Sequence, residues 1–394
     1  MRQLDSNGIF KVVKEALEER KSSSIAFPLE KLNGLSEGIV DGAYITVCGR
    51  TGSGKKSFID YAFMMNPILQ YLEILNNLEE GENPPYEFSV LYFCNKSNWT
   101  YKIKKLVALY LKISQNILTD VKSLNKSPDS KVTITSDDDP MVLEATTFIC
   151  DLLDSGILKI HEGTPRPIDV QTRIIEHYNG YGVTKTSSEG FINEFTPHDE
   201  DTKIKSIVII ESSDRLKMEA TEFGILSDQS RLEGRLDNFM KNCQQNLNTT
   251  IVIGQSATSY VRYKSDAEPK YSDAGTFTNS SNLILGLFNP FREGFMDKYI
   301  GYDVKMFITP GNVNRFRTVS ILKNDYGIDS GNFGVVFLPE CGYFFQLPDN
   351  MISNFKIDKD LLDSELELQE LVADDNILNP ELALIIFGLQ KLFL

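Results

Sequence analysis

The stretch Gly49-Arg50-Thr51-Gly52-Ser53-Gly54-Lys55 constrains this chain more than any other. It follows the apolar run Ala43-Tyr44-Ile45-Thr46-Val47-Cys48, which reads as a short buried strand. It precedes Ser57-Phe58-Ile59-Asp60-Tyr61-Ala62-Phe63, which begins a helix. Strand, glycine-rich turn and helix in that order are what a phosphate-binding P-loop requires. The glycines let backbone N–H groups curl around phosphate oxygens, the helix N-terminus adds its dipole, and the lysine reaches the terminal phosphates. One position departs from the pattern G-x-x-x-x-G-K-[ST]: the next residue, which should be a hydroxyl on Mg²⁺, is Lys56.

With 394 residues the chain can bury a sizeable core, as one large domain or two smaller ones. No apolar run approaches the roughly 18–20 residues of a membrane span, and the N-terminus lacks the apolar stretch of a secretory signal. Five cysteines (Cys48, Cys94, Cys150, Cys243, Cys341) are scattered without paired spacing. That predicts reduced thiols in a cytoplasmic protein and no zinc site. Three histidines form no cluster, and no metal site is expected from them. The net charge of −15 argues against a surface that coats nucleic acid everywhere. It leaves room for a local basic lining, because screening confines fields to about 10 Å.

Along the chain, residues 1–24 read as a linker-type segment whose helix, Asn7 to Lys21, either packs on its own domain or docks on a neighbouring subunit. The helix after the P-loop is expected to reach about Asn76. Buried strands are expected at Phe88–Phe93, Ile157–Ile160, Ile204–Ile210, Thr250–Gln255, Leu283–Phe288 and Arg317–Leu322. Closing antiparallel strands are expected at Val335–Phe337 and Tyr343–Phe345. Helices are expected at Tyr101–Leu111, Met141–Leu153 and Ser227–Asn246. Polar stretches near 114–140 and 178–203 read as insertions in a domain spanning 25–350. Strands alternating with helices imply an α/β fold: a mostly parallel central sheet, helices on both faces, antiparallel strands at the C-terminal edge. The binding crevice should then lie at the carboxyl ends of the strands, just after Cys48, Phe93, Ile210 and Gly254.

Over about Ile25 to Pro348 the chain resembles the RecA-like motor domain of DnaB-type replicative helicases. The resemblance rests on Leu32, Gly34, Leu35 and Gly38 before the first strand, on the P-loop, and on Val90-Leu91-Tyr92-Phe93 followed by a helix. It rests further on the strand ending at Glu211, on Ile253-Gly254-Gln255, and on Asn314 to Gly327. It implies an ATP-dependent DNA helicase that assembles as a ring or filament, binds single-stranded DNA and meets other replication proteins. By matching position, Gly49 to Lys55 with Lys56 and Ser57 would hold ATP, Glu211 stands at the Walker B acid, and Gln255 matches the γ-phosphate sensor. Lys323 matches a basic residue offered across the subunit interface. Three positions are substituted: Lys56 for the Mg²⁺ hydroxyl, Lys96 for the glutamate that activates water, and Asp325 for the arginine finger.

These substitutions are large by magnitude. An arginine finger is worth about 10³–10⁵ in rate, and loss of a general base costs about 10²–10⁴. A shift of register does not restore the P-loop, because Gly49, Gly54 and Lys55 fix it, and Ser57 lies about 100° further round the helix. Arg315 and Arg317 share a strand face by period two, but Arg317 is roughly 26 Å from position 325 at about 3.3 Å per residue. The expectation is therefore a site that binds nucleotide without Mg²⁺, or one held shut by Lys–Asp pairs with no nucleotide. The opposing expectation, from the resemblance, is an active motor. A non-hydrolysing scaffold, loader or regulatory subunit is the alternative, and a strand-exchange recombinase is less well supported by Lys323-Asn324.

A DNA-binding loop is expected at Tyr260-Val261-Arg262-Tyr263-Lys264, where Tyr260 and Tyr263 would stack on bases and Arg262 and Lys264 touch phosphates. The tail, 351–394, is acidic and then apolar. It reads as an element that docks on the core, a neighbour or a partner protein rather than on a membrane.

Overall fold

A computed structural model describes residues 24–79, 81–95, 98–121, 124, 140–199, 203–221, 224–257, 268–309 and 313–348. The expected N-terminal helix, Lys96, the loop with Tyr260, Arg262, Tyr263 and Lys264, and the tail lie outside these residues.

Nine strands form one sheet: β1 (Tyr44–Gly49), β2 (Glu87–Cys94), β3 (Leu158–Glu162), β4 (Ile204–Ile210), β5 (Thr250–Ser256), β6 (Leu283–Phe288), β7 (Phe316–Asn324), β8 (Gly331–Leu338) and β9 (Tyr343–Gln346). Their order is β9-β8-β7-β6-β1-β5-β4-β2-β3. From β6 to β3 every pairing is parallel. β7, β8 and β9 add antiparallel at the other edge. The central strands are apolar on both faces because helices cover both.

Period-two alternation decides which helices each side chain meets. Ile45, Val47, Val90, Tyr92, Ile207, Ile209, Leu285 and Leu287 share one core with the helix that follows the P-loop, with α2 (Trp99–Gln115) and with α3 (Pro140–Asp154). Tyr44, Leu91, Phe93, Val208, Ile210, Ile251 and Ile253 face the opposite core, against α4 (Pro167–Tyr178) and α5 (Gln229–Leu247).

The helix after the P-loop, here α1, consists of an α segment Lys55–Ile59, a π-helical segment Asp60–Met65 and an α segment Asn66–Asn76. It ends where its periodicity predicted. The widened middle has a local cause. Pro67 has no N–H to donate and its ring crowds the carbonyl four residues back, so the helix relaxes into a wider turn before it. The polar stretch 178–203 contains a hairpin, Gly182–Thr186 with Ile192–Pro197. Its Ile192 is buried against α4 and α5, and the Asn242 side chain both accepts from Ile192 N (2.7 Å) and donates to Ile192 O (2.9 Å).

Candidate nucleotide site

The carboxyl ends of β1, β4 and β5 converge on the P-loop, as an open parallel sheet requires at the point where its strand order reverses. Gly52 and Gly54 have φ of +86° and +93°, a left-handed conformation that side chains resist. Gly254 answers a different need: a Cβ there would collide with the Glu211 carbonyl oxygen, so its absence lets β5 approach the end of β4.

Lys55 is buried and donates to Ser256 Oγ (3.1 Å) and to Gly49 O (3.4 Å) across the mouth of the loop. The Ser53 hydroxyl is buried inside the loop without a hydrogen-bond partner. The turn after β6 braces the crown. Asn289 Nδ2 donates to Gly52 O (3.2 Å), Arg50 pairs with Glu293 (2.9 Å), and the Arg292 guanidinium lies where a Gly52 Cβ would stand. Thr51 at the crown is exposed. The loop geometry, the waiting hydroxyl and the lysine fit a phosphate chain.

The metal half of the site is built differently. Glu211 is fully buried, and its Oε1 receives two ammonium groups: Lys56 at 3.0 Å and Lys102 at 3.3 Å. Its Oε2 accepts from the Cys94 thiol. Lys102 comes from α2 and also donates to both oxygens of Asp60 (2.9 and 2.8 Å) and to Tyr92 OH (2.7 Å). The Tyr92 hydroxyl in turn donates to Asp60 Oδ1 (2.8 Å). Burial alone would lower the Lys102 pKa, but Asp60 and Glu211 outweigh it and hold the ammonium charged. Burial, reinforced by the Asp60 and Glu211 charges, pushes the Tyr92 hydroxyl well above its usual range, so it remains a neutral donor. Mg²⁺ does not fit this arrangement. The hydroxyl it needs is a lysine, and the acid it needs already carries two cations.

Ser57 is buried and accepts from Lys105 Nζ (2.7 Å). Gln255 is buried at the end of β5, and its side-chain oxygen accepts from the Ser213 hydroxyl just beyond Glu211.

Other candidates lie elsewhere. Lys323 and Asp325 are at the far end of the sheet, where Asn324 pairs with Leu283, level with Ile45 at the start of β1. There Lys323 donates to Ser281 O and stands 3.7 Å from Asp325, which also accepts from Asn282 Nδ2 (3.1 Å). Asp325 thus finds partners, Lys323 and Asn282, within its own chain. Arg315 and Arg317 are buried, Arg315 on Glu340 (3.0 Å) and Arg317 on the Asn314 and Phe316 carbonyls. Burial, with Arg292 nearby, lowers the Arg317 pKa to about 10. Both side chains are committed to their own fold.

Sequence reasoning misses Lys102, Asp60 and Tyr92. The signals are present: Lys102 stands four residues before Leu106 on the apolar face of its helix, and Asp60 is the one charge between Phe58 and Met65.

No protein-family profile matches the sequence, and no curated protein does. Solved structures do match. A DnaB-like replicative helicase, described with its interactions with primase, superposes with a TM-score of 0.57 at 11% identity, over 88% of this chain and 68% of that one. A second solved structure, described as an ATPase domain, superposes with the same score and identity, over 88% of this chain and all of that domain. The fold is therefore the RecA-like α/β fold of DnaB-type helicase ATPase domains.

Proposed function

We propose that the chain is a helicase-type RecA-fold protein of DNA replication whose P-loop holds a nucleoside triphosphate, ATP in the first instance, and hydrolyses it little or not at all. The observation that carries this is the capture of Glu211 by Lys56 and Lys102. Phosphoryl transfer needs a metal clamp on the β- and γ-oxygens, a positioned water and neutralisation of developing charge. Gly49 to Lys55 would hold the phosphates, with Ser53 Oγ inside the loop and Lys55 Nζ at its mouth. Lys56 would add a second ammonium group, and Gln255 would report the γ-phosphate to Ser213.

The helicase-like fold also supports assembly into a ring or filament, with Lys323 and Asp325 facing a neighbour, and single-stranded DNA contacting Tyr260, Arg262, Tyr263 and Lys264. One structural neighbour is described with primase, and a replication partner of that kind would meet residues 351–394. A cytoplasmic location accords with five cysteines outside any disulfide and with the lack, among the described residues, of a helix long and apolar enough to cross a membrane.

The test is ATP turnover by the full chain, with and without single-stranded DNA, beside binding of a fluorescent ATP analogue. Binding with turnover far below the roughly 1 s⁻¹ of a working phosphoryl-transfer enzyme is expected. Turnover near that rate would falsify the proposal. A second reading, a scaffold that takes no nucleotide, is favoured by the satisfied Lys56–Glu211–Lys102–Asp60 cluster, and absence of analogue binding would select it.

A further inference from the structure

We infer that Lys102 is a resident cation of this site, a protein ammonium that keeps Glu211 and Asp60 neutralised in every state and so makes the phosphate cradle one for metal-free triphosphate. For its ligand this rests on the nucleotide reading above; for the exclusion of a divalent ion it does not.

Position gives the first reason. Lys102 is 2% exposed and is gripped by Asp60, Tyr92 and Glu211 at 2.7–3.3 Å, so all three ammonium protons have acceptors. Lys56, by contrast, reaches the same Glu211 oxygen from the rim, with its side chain 36% exposed. One lysine is fixed and the other can exchange.

Charge gives the second. Asp60 and Glu211 supply two negative charges, and Lys56 and Lys102 two positive ones. A divalent ion at Glu211 would leave a buried excess of two positive charges, which a low-dielectric interior does not tolerate. If Lys56 turns to an arriving phosphate, Lys102 stays on Glu211, and the carboxylate still offers no site for a metal that wants several oxygen ligands. The lysine at position 56 is thus the interchangeable part. Lys102, invisible in the P-loop pattern, is the part that excludes metal.

The ordering of the two lysines makes this testable in the full-length chain. Manganese binding is followed by electron paramagnetic resonance on the protein without nucleotide, for wild type, Lys56→Ser and Lys56→Ser/Lys102→Met. Wild type and Lys56→Ser are expected to bind no Mn²⁺ that Glu211→Gln abolishes, whereas the double variant, with both ammonium groups gone from Glu211 and a hydroxyl at position 56, gains one such ion. Affinity for a fluorescent ATP analogue in wild type and Lys56→Ser is expected to agree within about twofold between Mg²⁺ and EDTA. A Glu211-dependent Mn²⁺ in Lys56→Ser, or a preference for Mg²⁺ of about tenfold in either protein, overturns the inference. Absence of analogue binding in both buffers removes the nucleotide reading instead, and the Mn²⁺ titration alone then decides the exclusion of metal. Should the double variant fail to fold, Lys56→Ser and wild type decide it between them.

Discussion

Position 102 shows how much can turn on one side chain. Breaking a buried ion pair on one side leaves an uncompensated charge, at a cost of about 3–5 kcal/mol, whereas removing both partners is far milder. Lys102→Met should therefore destabilise the chain by about 3–5 kcal/mol in urea denaturation, and Asp60→Asn/Lys102→Met by clearly less. Equal losses in the two variants would mean that packing, not charge, makes Lys102 necessary. The same contrast explains what could be read beforehand. Lys56 and Glu211 are legible because a P-loop and a buried strand fix their register within a few residues. Lys102 reaches Glu211 from a distant point in the chain, on a different helix, and such a contact has no local spacing.

Among the elements, α4 carries a group with a similar hidden dependence. His177 is buried between β2 and β4, its Nε2 on Ser89 Oγ (2.9 Å) and Ser206 Oγ (3.2 Å), while Lys159 of β3 donates to its Nδ1 (3.0 Å). Burial, then the Lys159 charge and His161, lower its pKa to about 3. The folded chain keeps this ring neutral, whereas the unfolded chain protonates it near pH 6.5. Stability from this group is full above about pH 6.5 and declines as pH falls towards 3, by about 2–3 kcal/mol between pH 7 and 4.5. His177→Gln should flatten that decline by close to one proton in urea denaturation across the range, and an unchanged slope would rule the group out. No helix is expected from the sequence where His177 lies, since the apolar stripe of Pro167–Tyr178 (Val170, Ile174, Tyr178) is short. The longer elements are legible. β1, β4 and β5 announce themselves as apolar runs because both their faces are covered, and α5 by Leu232, Leu236, Phe239 and Cys243 at helical spacing. The π segment of α1 is not, although Pro67 stands in the sequence as its cause.

At the scale of the molecule, the sheet separates two regions that the chain's order intermixes. The P-loop, Glu211 and Gln255 gather at one end of the parallel strands, and Lys323 and Asp325 sit at the other. In a ring or filament the second end would be offered to the next subunit. An exposed pair such as Lys323–Asp325 contributes at most about 1 kcal/mol within a chain. Asp325→Arg should accordingly leave the unfolding midpoint of the isolated chain almost unmoved while changing the assembly seen by sedimentation velocity. Unchanged sedimentation would remove Asp325 from any subunit interface. By itself the sequence determined the glycine-rich turn between β1 and its helix, with Lys56 where the motif has a hydroxyl, and the parallel α/β sheet with its antiparallel edge, because each is written in local spacing and strand periodicity. Only the tertiary structure decided what lies against Glu211. It brought Lys102, from a distant helix, between Asp60 and Glu211, since burial forces every charge to find a partner whatever its distance in sequence.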